Sequence, residues 1–149
     1  MPCLEVTYPA GAIDEGTREG LAESLTKTFM HWEGAPDTEF FRDQCWVYFH
    51  ELPEGMVNRA GVPTSVPIYR VNATVPEGAM SERRKAGMVK EVTDLLLEAD
   101  RGEPDPLRVW VLIGEVPNGN WGAAGQVIDF DQLREAARVQ REEAEGVEQ

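Results

Sequence analysis

Apolar and polar positions along the chain change period twice, and the change then repeats. Leu4, Val6 and Tyr8 alternate with polar neighbours, which predicts a first strand over about Cys3–Tyr8, broken by Pro9 and Gly11. Asp14 is placed to cap a helix whose apolar positions Leu21, Leu25, Phe29 and Trp32 follow at near-helical spacing. Gly34 and Pro36 close it, and residues 44–51, rich in aromatic and β-branched side chains, read as a second strand. The order then recurs. A strand runs through about Val66–Val75 and is broken by Pro76 and Gly78. Ser81 caps a helix with the apolar face Ala86, Val89, Val92, Leu96 and Ala99, and Arg108–Glu115 is the fourth strand.

The recurrence is also literal. WVYFHELPEG (46–55) and WVLIGEVPNG (110–119) share Trp, Val, Glu, Pro and Gly at one constant offset, which also carries Ala60-Gly61 onto Ala124-Gly125. Two copies of one supersecondary unit explain this better than a solenoid array. Each copy reads as a βαβ unit, in which the helix supplies the crossover that parallel strands need, with a right-handed connection favoured. The expected fold class is α+β, two-layered, with duplicated βαβ units, a four-stranded sheet and two helices on one face. The other sheet face must find cover, which implies an oligomer. Residues 1–128 form a single domain in this reading, with repeat one over about 2–61 and repeat two over about 66–125. Residues 129–149 are expected to be a charged, solvated C-terminal helix or frayed tail.

Composition narrows the function classes. The chain has 149 residues, 42% hydrophobic and 28% charged, which suits one globular domain. Its net charge of −13 opposes nucleic acid and anionic membranes as partners, because a phosphate-binding face needs clustered Lys and Arg. No apolar run approaches the ~20 residues of a membrane helix, and Met1-Pro2-Cys3-Leu4-Glu5 lacks the regions of a signal peptide. Cys3 and Cys45 sit in apolar strand-like runs and read as reduced, packed thiols of a cytoplasmic protein. Their spacing suggests no metal site.

Three stretches carry a family resemblance. The chain starts MPCLEVTYPAG, with a proline directly after the initiator methionine, and the βαβ unit is duplicated. Asn120-Trp121-Gly122-Ala123-Ala124-Gly125 is similar to the strand-to-hairpin segment of 4-oxalocrotonate tautomerase. Chain length and the HELP and GEVP turns resemble the fused-repeat subgroup containing cis-3-chloroacrylic acid dehalogenase. The resemblance to the tautomerase superfamily covers about residues 2–125. It implies a homotrimer with a central core of sheets, a small-molecule carbonyl substrate, no cofactor and no metal.

It also implies the chemistry. Once Met1 is removed, Pro2 is a secondary amine, and an apolar pocket would lower its pKa toward neutrality. Such a base can take a proton α to a carbonyl and return it elsewhere, as in keto–enol tautomerisation of a phenylpyruvate-like compound. By alignment, or by nearness to the start of repeat two, Trp121, Phe29, Leu112 and Tyr69 are candidates for the pocket wall. Alignment also shows departures. Phe29 stands where the dehalogenase has its histidine, Pro76 and Ala79 where it has arginines, Leu112 at its tyrosine and Ala123 at its water-activating glutamate. Without that glutamate, proton transfer is favoured over hydrolytic dehalogenation, hydration or decarboxylation, which stand as the alternative. A non-catalytic trimeric relic is a third reading. Arg70 and Arg59 are candidates to meet a carboxylate, against a solvated or interface role. Asn120 is a candidate donor to an enolate oxygen, against a turn role. Tyr48 reads as a packing residue, His31 as structural or exposed, and His50 as stabilising a turn.

Overall fold

The computed structural model describes residues 2–147. The four long strands are β1 (Cys3–Pro9), β2 (Trp46–Leu52), β5 (Tyr69–Pro76) and β6 (Val109–Val116). They form one sheet in the order β2-β1-β5-β6. β1 is parallel to β2 and β5 to β6, while β1 and β5 meet antiparallel at the centre. The two halves are therefore matching βαβ units related by an approximate twofold axis. Register shows the match directly: Cys3 pairs with Trp46, and Arg70 pairs with Trp110.

Helices α1 (Glu15–Glu33) and α3 (Glu82–Asp100) cover one face. Both expected caps are present. Asp14 accepts from the Thr17 backbone N–H, and Ser81 accepts from that of Arg84. Gly34 ends α1 in the left-handed conformation at φ 79°, where a Cβ would be strained. α3 ends at Asp100 and is capped by Arg101, also left-handed.

Strand alternation decides what is buried. Leu4, Val6, Tyr8, Val71, Ala73 and Val75 point at the helices, meeting Leu21, Leu25 and Phe29 of α1 and Val92 and Leu96 of α3. The buried face of α3 departs from expectation at one position: Met88 is buried, and Ala86 is exposed. Met88, Val92 and Leu96 follow at four-residue spacing on one face, and Ala86 falls to its side. Gly87 sits under the Trp32 indole of α1, whose ring occupies the space of a Cβ.

The opposite face is open. Trp46 and Tyr48 on one edge strand and Trp110 and Leu112 on the other are between 47% and 65% exposed, a large apolar surface for one chain to leave in water.

Three further elements complete the fold. Short helix α2 (Glu39–Asp43) precedes β2. Hairpin β3–β4 (Asn58–Arg59, Val62–Pro63) follows β2, and hairpin β7–β8 (Gly122–Ala123, Gln126–Val127) follows β6. Helix α4 (Phe130–Val147) is more than a solvated appendage: Phe130 and Ala137 are buried, and Leu133 packs on the core. Residues 148 and 149 lie outside the described part. Among the described residues no helix is long and apolar enough to cross a membrane, and no group of His, Cys, Asp and Glu could hold a metal ion.

Candidate functional site

Pro2 stands at the entrance to β1, where its carbonyl accepts the Trp46 N–H at 3.1 Å, one step ahead of the Cys3–Trp46 pair. Pro2 is buried. Met1, and with it the expected exposure of the proline nitrogen, lies outside the described residues.

Around Pro2 opens a cleft of about 590 Å³ between the start of the sheet, α2, hairpin β7–β8 and the start of α4. Its apolar wall is Phe40, Trp46, Trp121, Val127, Ile128 and Leu133, and Gln44, Gln126 and Gln132 supply neutral polar groups. Asp129 lines the cleft as well, and no Lys or Arg is among the described residues that do. Its Oδ1 accepts the Asp131 N–H at 2.9 Å at the start of α4.

The hairpin is built to hold Trp121 in that wall. Ala124 and Gly125 turn it in left-handed conformations, φ 53° and 76°. The Trp121 carbonyl accepts the Ile128 N–H at 2.8 Å, and the indole packs edge-on against Phe130 with centroids 6.4 Å apart. Phe130 is fixed in turn by its N–H, which donates to Asn118 Oδ1 at 3.1 Å. The chemistry available here is an apolar chamber around one proline. Burial pushes the Cys3 thiol up, with Glu5 adding to it, and pushes Cys45 up to about 11. Both shifts favour the thiol over the reactive thiolate.

The candidate residues are thus divided. Trp121 is brought to Pro2. Arg59, Arg70 and Tyr69 instead line a second cleft of about 630 Å³ at the start of repeat two. Tyr69 is buried there and donates from its phenol to Asp100 at 2.8 Å. Phe29 is fully buried in the core between α1 and the sheet, and Leu112 is half-exposed on the open sheet face. Asn120 is an exposed turn residue whose N–H donates to the Pro117 carbonyl at 3.0 Å, outside the lining of Pro2's cleft. His50 lies 3.1 Å from Glu5 on the open face and stacks on Tyr48, and His31 packs edge-on against Trp32.

Sequence reasoning did not single out Phe40, Trp46, Ile128, Asp129 or Leu133 as cleft residues. Trp46 carried a usable signal, being repeated as Trp110 next to the first residue of its neighbouring strand. The Phe130, Leu133, Ala137 stripe gave another, since it marks a packed helix at 3.6-residue spacing.

Comparison with known proteins agrees with the fold. Residues 67–131 match the family model Tautomerase, described as tautomerase enzyme. Among curated proteins, none matches this chain. The solved structure of N1, a member of the cis-3-chloroacrylic acid dehalogenase family, is 24% identical at a TM-score of 0.72, covering 85% of this chain and 82% of that one. An asymmetric trimer of a fused 4-OT is 21% identical at 0.71, covering 84% and 94%. A macrophage migration inhibitory factor-like protein from Entamoeba histolytica is 17% identical at 0.67, covering 85% and 98%. At these identities the likeness establishes the fold.

Proposed function

We propose that this chain is a fused-repeat member of the tautomerase superfamily, a reading supported by its fold and by the family match over residues 67–131, and that it is an enzyme interconverting keto and enol forms of a small carbonyl compound. Pro2, freed by removal of Met1, is the general base. The observation that carries this reading is the position of Pro2 in a cleft walled by Phe40, Trp46, Trp121 and Ile128. Such walls disfavour the cationic ammonium and lower the amine's pKa toward neutrality, with Asp129 in the same lining acting in the opposite direction. The Pro2 nitrogen removes a proton from the substrate's α-carbon and returns it to the carbonyl oxygen, or the reverse, with no net change of composition.

The same lining supports one class of substrate. Aromatic walls suit an aryl-substituted carbonyl, as in a phenylpyruvate-like compound. With Asp129 present and no cation in the described lining, the aryl and carbonyl groups supply recognition, and a diacid is disfavoured. Arg59 and Arg70 are not assigned to this step.

The assembly we propose is a homotrimer, supported by the exposed Tyr48 and Leu112 on the sheet's open face and by the trimer of the fused 4-OT with this fold.

One observation keeps the dehalogenase or hydratase alternative in view. Activating water needs a carboxylate, and Asp129 places one in the cleft, although it also caps α4. The test is enol-to-keto conversion of phenylpyruvate by protein whose intact mass shows loss of Met1. Pro2→Ala should lower the rate by about 100-fold or more. Equal rates would remove Pro2 from the mechanism, and halide release from 3-chloroacrylate without tautomerisation would favour the alternative.

A further inference from the structure

Duplication has left two clefts with opposite chemistry. By strand register, Arg70 stands where Cys3 stands, and Tyr69 where Pro2 does. Hairpin β3–β4 copies β7–β8 down to its turn, with Ala60-Gly61 left-handed at φ 54° and 81° as Ala124-Gly125 are at 53° and 76°. The first cleft holds a proline and, among described residues, no Lys or Arg. The second holds Arg59 and Arg70 with no Asp or Glu among the described residues that line it.

The second cleft has no base to offer. Its Tyr69 nitrogen is a peptide amide inside the chain, and the Tyr69 phenol is committed to Asp100. Arg108 reaches the lining too, but its guanidinium is spent on Asp100 and on the carbonyls of Glu103 and Pro67. Arg59 and Arg70 differ: neither is in an ion pair with any described residue. Two unneutralised guanidiniums beside Met56, Val57, Ile68, Leu107 and Trp110 are unusual in a chain of net charge −13. Both line one cleft that holds no described carboxylate, so a bound anion would meet local positive charge there in spite of the chain's net negative field.

We propose that the second cleft is a non-catalytic binding site for a small aryl-substituted monocarboxylate. The carboxylate is held by Arg59 and Arg70, and the aryl group lies against Trp110. This site is independent of any chemistry at Pro2: repeat two binds the charged end of an organic acid, and repeat one has no cation for it.

The experiment is calorimetric titration of the full-length protein with 3-phenylpropanoate, which has no keto group to enolise, and with 3-phenylpropanamide as its neutral match. The expected result is saturable binding of the acid, weakened about tenfold or more by Arg59→Gln, by Arg70→Gln and by exchange of the acid for the amide. Trp121→Ala, in the first cleft, should leave this affinity unchanged. Arg59 lies on an exposed hairpin, so Arg59→Gln carries the test if Arg70→Gln alters assembly. No saturable binding, or binding insensitive to Arg59→Gln, would overturn the proposal. So would binding lost in Trp121→Ala, which would place the acid beside Pro2.

Discussion

Arg108 and Asp100 form an ion pair at 2.6 Å with both side chains only 1% exposed, at the point where α3 hands the chain to β6. The pair is fully dressed. Arg108 makes a second bond to the other carboxylate oxygen and donates to the Glu103 and Pro67 carbonyls, while Asp100 also accepts from Tyr69 and the Gly102 N–H. It ties the start of repeat two to the end of its own helix. Removing one partner strands the other charge in the interior. Arg108→Met should therefore cost roughly 3 kcal/mol or more of unfolding free energy, read from urea denaturation. A loss below about 1 kcal/mol would show that the pair is solvated in solution.

The same carboxylate sets an acid limit on stability. Burial alone would raise Asp100, yet bonds from Arg108, the Gly102 N–H and Tyr69 hold it below its ordinary value of 3.8. A group depressed on folding contributes stability above its unfolded pKa, and that contribution is lost as pH falls through the folded value. Denaturation midpoints of the native protein should thus drop progressively below about pH 4, on the ordinary carboxylate value. In Asp100→Asn this part of the slope should be missing, on a lower baseline.

Gly87 should tolerate no side chain. Alanine is the better helix former by about 1 kcal/mol, but its methyl would enter the space of the Trp32 ring where α1 crosses α3. Gly87→Ala should destabilise by about 1–3 kcal/mol in thermal or urea unfolding. Gly87→Ala in a Trp32→Leu background should recover part of that loss.

Substrate charge should be resisted in Pro2's cleft. Asp129 is the acidic side chain in its described wall, and a like charge a few ångströms away raises the energy of a bound carboxylate by roughly 1 kcal/mol in a wet site. Asp129→Asn should raise kcat/KM for phenylpyruvate severalfold and leave its methyl ester almost unaffected. Steady-state kinetics on the two substrates check this, and equal effects on both would point to a role of Asp129 in folding the α4 cap instead.

Most of the sheet is legible in the sequence, because its determinants are local. Alternation in Leu4-Val6-Tyr8, the caps Asp14 and Ser81, and the turns after Trp46 and Trp110 each act within a few residues. The cleft is less legible, since its wall comes from three separate stretches. Phe40 and Leu133 meet only after β1 pairs with β2 and α4 folds back. Arg70 reads as an anchor for Pro2 because it lies near the start of repeat two, and Arg59 because its loop corresponds to the Asn120–Gly125 hairpin. The antiparallel β1–β5 pairing sends the starts of the two repeats to opposite ends of the sheet, and so separates them from Pro2.

The basicity of Pro2 is tested most directly by a nitrogen-15 NMR titration of the Pro2 amine in protein verified to lack Met1. Within walls of Phe40, Trp46 and Trp121, the nitrogen should lose its proton near or below neutral pH, as desolvation of the cation requires. A nitrogen that remains protonated beyond about pH 9, above the usual α-amino range, would contradict a Pro2 base and leave only the fold.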